Sequence, residues 1–311
     1  MKMSRYVIGM DIGGTYYRIG AVDGDYTIIG VSCGESSVFT ESADPVGELC
    51  RIIDGMRSGI AGLLCGICIG FPGTVSRDKS TVLSCPNLTA FDGVNVAEQL
   101  RQRYGAPVYV EHDVVLLLEN DIEQLELRDR DCVVGIYVGT GLGNALYIHG
   151  RILEGKNANS GELGHIPSFL SDEPCPCGNR GCIELVASGK RLQRIRDELF
   201  PEYATLDEMM QYRSAYPEVR EYIRRLAYPI AIEVNILDPD VVLLGGGVIQ
   251  MQHLPYEQLI SDVVSLARKP LPANDLNIVR LGEDPERGIR GAAIRCWRRI
   301  GQAKQKGCEA S

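Results

Sequence analysis

Tyr6-Val7-Ile8-Gly9-Met10-Asp11-Ile12-Gly13-Gly14-Thr15 begins as an apolar run and ends in a carboxylate, two adjacent glycines and a hydroxyl. The first part predicts a buried strand over 6–10, and the second a turn over 11–15. Glycines lack Cβ and reach φ > 0, so the backbone N–H groups of such a turn can point at phosphate oxygens. Thr15 adds a hydroxyl donor, and Asp11 is suited to Mg²⁺, directly or through water. The arrangement recurs further along. Residues 132–138 read as a strand, and Gly139-Thr140-Gly141-Leu142-Gly143 follows it. A third cluster, Gly245-Gly246-Gly247, stops a short apolar strand at 241–244. One glycine pair reads as an ordinary β-turn. Three clusters, each directly after an apolar strand, favour phosphate-binding loops. The spacing is not that of a dinucleotide fingerprint, and no Gly-Lys-Ser/Thr makes a Walker A loop.

Outward from these turns, strands are predicted over 18–22, 27–32, 63–70 and 107–110, and helices over 45–56, 94–104 and 114–125. The pattern restarts at 132–138 with a second strand over 144–149. Helices follow over 189–199, 206–212 and 217–237, then a helix over 257–267, a strand over 276–281 and a last helix over 288–300. Strands first and alternating strand–helix units afterwards predict mixed α/β sheets. The restart predicts two halves of related architecture facing one cleft.

The length, 311 residues, exceeds what one core usually serves. Net charge is −9, and basic residues cluster no further than pairs such as Arg224-Arg225 and Arg298-Arg299, so nucleic acid is not an expected partner. No apolar stretch approaches the roughly 18 residues of a membrane span. Residues 1–5 lead straight into the first strand without a signal-peptide core, so the expectation is a cytoplasmic protein with no membrane partner. Eleven cysteines then argue for free thiols and metal ligation over a disulfide framework.

Cys175-Pro176-Cys177-Gly178-Asn179-Arg180-Gly181-Cys182 carries three thiols, and His165 lies shortly before it. Three thiolates and one imidazole suit tetrahedral Zn²⁺, and four protein ligands make a closed, structural site. A redox pair at Cys175 and Cys177 is disfavoured, because thioredoxin-like motifs place two residues between the cysteines. Asp113 falls at a strand–helix junction, where it reads either as a plain N-cap or as a general base for a hydroxyl. Glu162 and Glu184 flank the cysteine loop, which would hold both rigidly. Asn87, after Cys85-Pro86, is a further polar candidate.

Taken together, 11–15, 139–143, Gly161-Glu162-Leu163-Gly164-His165, the cysteine motif and Leu244-Gly245-Gly246-Gly247 resemble the ROK family of sugar kinases and repressors. The resemblance runs from about Tyr6 to Arg298. It implies an actin-like ATPase (ribonuclease H-like) α/β fold, two mixed-sheet domains closing over sugar and ATP. Residues 1–118 plus 287–311 would form the first domain, completed by the C-terminal helix, and 119–286 a larger one containing the zinc loop. It implies an ATP-dependent hexose kinase, a phosphotransferase with an alcohol acceptor, using Mg²⁺ and acting as a homodimer. Asp113 matches the family's catalytic base. Asn87, Glu162, His165 and Glu184 match sugar contacts, and Gly245, Gly246 and Gly247 the nucleotide side. The family usually has Asn before the base; here it is His112, which implies an altered sugar contact. Several stretches, among them Gly70-Phe71-Pro72, Cys85-Pro86-Asn87-Leu88 and Arg268-Lys269-Pro270-Leu271-Pro272, look most like the family's D-allose kinases. D-allose, phosphorylated at the 6-hydroxyl, is therefore the favoured substrate. Glucose, fructose and N-acetylmannosamine remain open. A repressor of the family would carry a helix-turn-helix ahead of the first phosphate turn, and Asp11 comes too early for one. A non-catalytic sugar sensor would not need Asp11, Thr15, Asp113 and Thr140.

Overall fold

The computed structural model describes residues 4–309, with side chains to residue 303. They form two compact units. The first comprises the chain up to 127, 154–159 and everything from 284; the second comprises 128–153 and 160–283. The boundary expected after 118 falls inside the helix Asp113–Gln124, which belongs whole to the first unit. Its later residues are tied there by charge: Arg295 and Arg298 of the C-terminal helix reach Glu119, and Arg287 reaches Asp121.

The first unit is built on a five-stranded sheet of β1 (Arg5–Ile12), β2 (Tyr16–Asp23), β3 (Ile28–Glu35), β4 (Leu63–Phe71) and β7 (Val108–His112). A small hairpin of β5 (Thr74–Val75) and β6 (Val82–Ser84) lies between the last two in sequence. The order is β3-β2-β1-β4-β7. The first three strands form an antiparallel meander, while β4 and β7 run parallel to β1. The second unit repeats the plan with β8 (Cys132–Val138), β9 (Leu142–Ile148), β10 (Arg151–Ile152), β11 (Val241–Gly245) and β12 (Ile278–Arg280), in the order β10-β9-β8-β11-β12. Again the meander is antiparallel and the last two strands parallel. The predicted restart of the pattern is thus a repeat of topology.

Both glycine turns are hairpin tips, and both are shorter than predicted. Asp11 and Ile12 still pair with Arg18 and Tyr17, so the first tip is only 13–15. Leu142 and Gly143 likewise already belong to β9, paired with Val138 and Tyr137. The third cluster is not a turn between strands. Gly245 ends β11, Gly246 has φ +89°, and Gly247 starts a four-residue helix, Gly247–Gln250.

Sheet faces follow the strand period of two. Ile8 and Met10 of β1 look into one core with Ile69, Phe71, Phe91 and Val108. Val7 looks the other way, at Val22, Cys68, Leu116 and the C-terminal helix Arg287–Glu309. That helix lies very close. A Cβ on Gly9 would collide with the Ile289 carbonyl, and one on Gly291 with the Leu116 carbonyl. Both neighbours are backbone and cannot swing aside. Gly291→Ala should therefore lower folding stability by about 3 kcal/mol, read as a lower urea midpoint. An unchanged midpoint would mean that the helices are less tightly seated.

Candidate functional site

The residues singled out from the sequence separate into two groups, one in each unit. In the first unit β1 delivers Asp11 and the tip Gly13, Gly14 and Thr15. The tip is held from beneath by Ser36, which is fully buried. Ser36 donates its N–H to the Thr15 carbonyl at 2.8 Å and its hydroxyl to the Gly13 carbonyl at 2.7 Å. Nothing in the sequence marks Ser36, because its role depends on the fold bringing it under the turn. Asn87 packs on Gly14, whose missing Cβ would stand 3.4 Å from the Asn87 Cβ.

β7 ends at His112 and the next helix begins at Asp113. The N-cap position belongs to His112, so Asp113 is the first helical residue and not the cap itself. Its carboxylate accepts the Val114 N–H at 2.8 Å and gains from the helix macrodipole. The His112 imidazole turns toward it, with Nε2 3.4 Å from Oδ1. Asp11 and Asp113 approach each other across Gly70. A Cβ there would lie 3.4 Å from the Asp113 Cα and 3.5 Å from the Asp11 Oδ1. Burial first, and then the charge of Asp113, push the Asp11 carboxyl up to about 7. Two carboxylates that resist simultaneous ionisation are a donor set that a divalent cation would relieve, so these residues fit Mg²⁺.

In the second unit the loop of Gly139, Thr140, Gly141 and Leu142 lies against the start of the helix Gly189–Leu199. Gly189 and Lys190 donate their N–H groups to the carbonyls of Gly139 and Thr140 at 2.9 and 3.0 Å. Gly246 backs the same place: its missing Cβ would stand 2.5 Å from the Val138 carbonyl. Gly245 and Gly246 therefore lie beside Tyr137 and Val138, the end of the strand that carries the 139–143 loop, and Gly247 follows them in the chain. Glu184 joins it too, since its Oε2 accepts the Leu142 N–H at 3.1 Å. Gly164 packs on that pair, 2.5 Å from the Leu142 carbonyl and 3.4 Å from the Glu184 Cβ, measured from its missing Cβ. Glu162 and His165 follow on the same stretch, with Oε2 and Nε2 3.9 Å apart.

The ligand atoms of His165, Cys175, Cys177 and Cys182 all lie within 4.8 Å of one another. Cys175 Sγ is 3.7 Å from His165 Nδ1, and Cys177 Sγ is 3.6 Å from Cys182 Sγ. Ligands about 2.3 Å from a tetrahedral ion stand about 3.7 Å apart, so both edges have the required length. Burial and the two neighbouring thiols push Cys182 up to about 12. Burial raises Cys175 as well, whereas the Asn179 N–H and the two neighbouring thiols outweigh burial and lower Cys177. A cation would draw the protons from the two raised thiols, and the donor set fits Zn²⁺. Nδ1 of His165 faces the thiols, which leaves Nε2 on the Glu162 side.

Comparison with known proteins agrees with this organisation. Residues 7–298 match the ROK family. The glucokinase of Thermotoga maritima is 26% identical, over 95% of this chain and 98% of its own. An N-acetyl-D-glucosamine kinase of Pectobacterium carotovorum is 28% identical, over 92% of this chain and 97% of its own. The crystal structure of a ROK family glucokinase from Streptomyces griseus, in complex with glucose and AMPPNP, superposes with a TM-score of 0.78. It is 25% identical and covers 94% of this chain and 99% of its own. With the family matched across nearly its whole length and the same fold in a solved relative, this chain belongs to the ROK family.

Proposed function

We propose that this chain transfers the γ-phosphoryl group of ATP to a hydroxyl of a hexose, with Asp113 as general base. It is a sugar kinase of the ROK family, and its donor is ATP with Mg²⁺. The observation that carries the base assignment is the approach of Asp113, at the start of its helix, to the half-buried Asp11 across Gly70. Phosphoryl transfer needs positioning, charge neutralisation and a proton acceptor, and little else from the protein. Bound Mg²⁺ would neutralise phosphate charge, and Asp11 would hold it. Gly13, Gly14 and Thr15 would take phosphate oxygens, as would Gly139, Thr140, Gly141 and Gly143, and Gly245, Gly246 and Gly247 would serve the nucleotide. Asn87, His112, Glu162, His165 and Glu184 would hold sugar hydroxyls. Asp113 takes the proton of the attacking hydroxyl as the hydroxyl oxygen bonds to the γ-phosphorus, and the bond from that phosphorus to the bridging oxygen breaks to release ADP.

The finer reading concerns the sugar. The relatives above are named for glucose and N-acetyl-D-glucosamine. His112 argues for a different hexose here. An amide donates and accepts from one end, whereas an imidazole does so from opposite sides of a ring. With Nε2 turned to Asp113, the ring occupies the flank of the base. D-allose, or another hexose altered near C3, therefore suits the site, with transfer to the 6-hydroxyl. The four-ligand set His165, Cys175, Cys177 and Cys182 is read as structural Zn²⁺ that pins Glu162 and Glu184.

Four results test these readings. Asp113→Asn keeps the shape and removes the proton acceptor, so kcat should fall about 10²–10⁴-fold with little change in sugar affinity; an unchanged kcat would reject the base assignment. In an ADP-release assay across aldohexoses, ketohexoses and N-acetylated hexosamines, D-allose should exceed D-glucose in kcat/KM, by roughly tenfold or more if one polar contact decides. His112→Asn should move the ranking toward glucose, and an unchanged ranking would show that His112 does not set specificity. Metal analysis should find about one zinc per chain, and Cys177→Ser should lose it. Metal-free protein with full activity would end the zinc reading.

A further inference from the structure

We infer that Lys79 is a positioning residue for Asp113, acting through the end of β7. The inference rests on the reading of Asp113 as the base. β7 is an edge strand, paired on one side by β4. An edge leaves backbone groups without strand partners, and a strand end held on one side only would be free to shift. Lys79 closes the other side. Its carbonyl accepts the Val110 N–H at 2.9 Å, and its ammonium reaches the Glu111 Oε1 at 2.5 Å. Lysine is rarely buried unless paired, yet here both Lys79 and Glu111 are only 1% exposed. Both grips fall within three residues of Asp113 on the strand that delivers it.

The turn that carries Lys79 is itself braced. Ser76 and Thr81 close it at 2.8 Å, and the Asp78 carboxylate binds the hydroxyls of Ser76 and Ser80. Lys79 takes φ +60°, a left-handed conformation unusual for a residue with a long side chain. That conformation lets its carbonyl and its ammonium meet neighbouring residues of one strand. Glu111 passes the restraint on. Its Oε1 also accepts the His112 N–H at 3.3 Å, and its Oε2 meets Arg295 at 3.1 Å and Arg299 at 3.3 Å. Because two arginines remain on Glu111, removing the Lys79 charge does not strand a buried carboxylate. What it removes is the clamp on the strand end.

The test is a double-mutant cycle on the full-length kinase. Lys79→Met keeps the stem and loses the ammonium. It should lower kcat about 10–100-fold, as expected of a base displaced by a fraction of an ångström to about 1 Å. KM for sugar and for ATP should stay within about threefold, since uniform binding is untouched. In an Asp113→Asn background, Lys79→Met should lower kcat no further, because its effect runs through the missing base. Amide exchange at residues 110–114 should quicken while β1 and β4 keep their protection. A full additional loss in the Asp113→Asn background, or unchanged exchange at 110–114, would overturn the inference. Should Lys79→Met fail to fold, Lys79→Arg, which keeps the charge but not the 2.5 Å geometry, carries the same cycle. If Asp113→Asn alone keeps normal kcat, the base assignment fails, and that result is distinct from an additive Lys79 effect.

Discussion

One buried carboxylate, Glu111, ties the first unit together. It joins the turn between β5 and β6 through Lys79, its own strand β7, and the C-terminal helix through Arg295 and Arg299. Burial alone would raise such a carboxyl. Arg295, then Lys79 and Arg299, overcome it and hold Glu111 at about 2, so it stays ionised throughout the neutral range. Arg295 and Arg299 also reach Glu154, from the short stretch 154–159 that packs into this unit. Four elements distant in sequence therefore meet through one charge cluster. Such clusters add little net stability compared with apolar packing, and the cost falls on a charge left buried with no partner, so they fix geometry more than they add strength.

The second unit uses a carboxylate in the same mechanical way. Glu184 is hydrogen-bonded to the loop after β8 and lies just beyond Cys182. The cysteine loop, the residue matched to a sugar contact and the loop matched to phosphate are thus one connected piece. Asp113 in the first unit and Glu184 in the second each accept a backbone N–H, from Val114 and Leu142, which fixes each carboxylate against the main chain.

Much of this was legible in the sequence because it is local. Strand period, helix length and the glycine clusters depend on neighbours in the chain, and β1, β4, β8 and the helix Pro217–Leu237 fall where the pattern predicts. The clustering of His165, Cys175, Cys177 and Cys182 was legible because a four-ligand set shows itself as specific residue types at short spacing. What stayed hidden depends on contacts across the fold. Ser36 reads as one serine among many until the fold sets it under Gly13. Lys79 reads as a solvated charge in a polar turn, and only the edge of β7 gives it a partner. The short strands β5, β6 and β10 carry too few residues to show a period. The split after 118 missed the helix Asp113–Gln124 because that boundary is set by charge pairs with a helix at the far end of the chain.

The seating of the C-terminal helix has a consequence for how the molecule is made. One face of the first sheet, with Val7, Val22 and Cys68, is covered by Leu116 and by Ile289, Ala292, Ala293 and Cys296 of that helix. A ribosome delivers residues 289–296 only after the whole second unit has emerged. The second unit draws nothing from beyond residue 283 and can close in the meantime. The first sheet must wait with an apolar face bare, an aggregation hazard that invites chaperone cover. The same late helix brings Gly288 against the Asp11 carboxylate. A nascent chain thus completes the surroundings of Asp11 only once residue 288 and its helix have followed the second unit, and one released before then would be both sticky and unable to finish that corner.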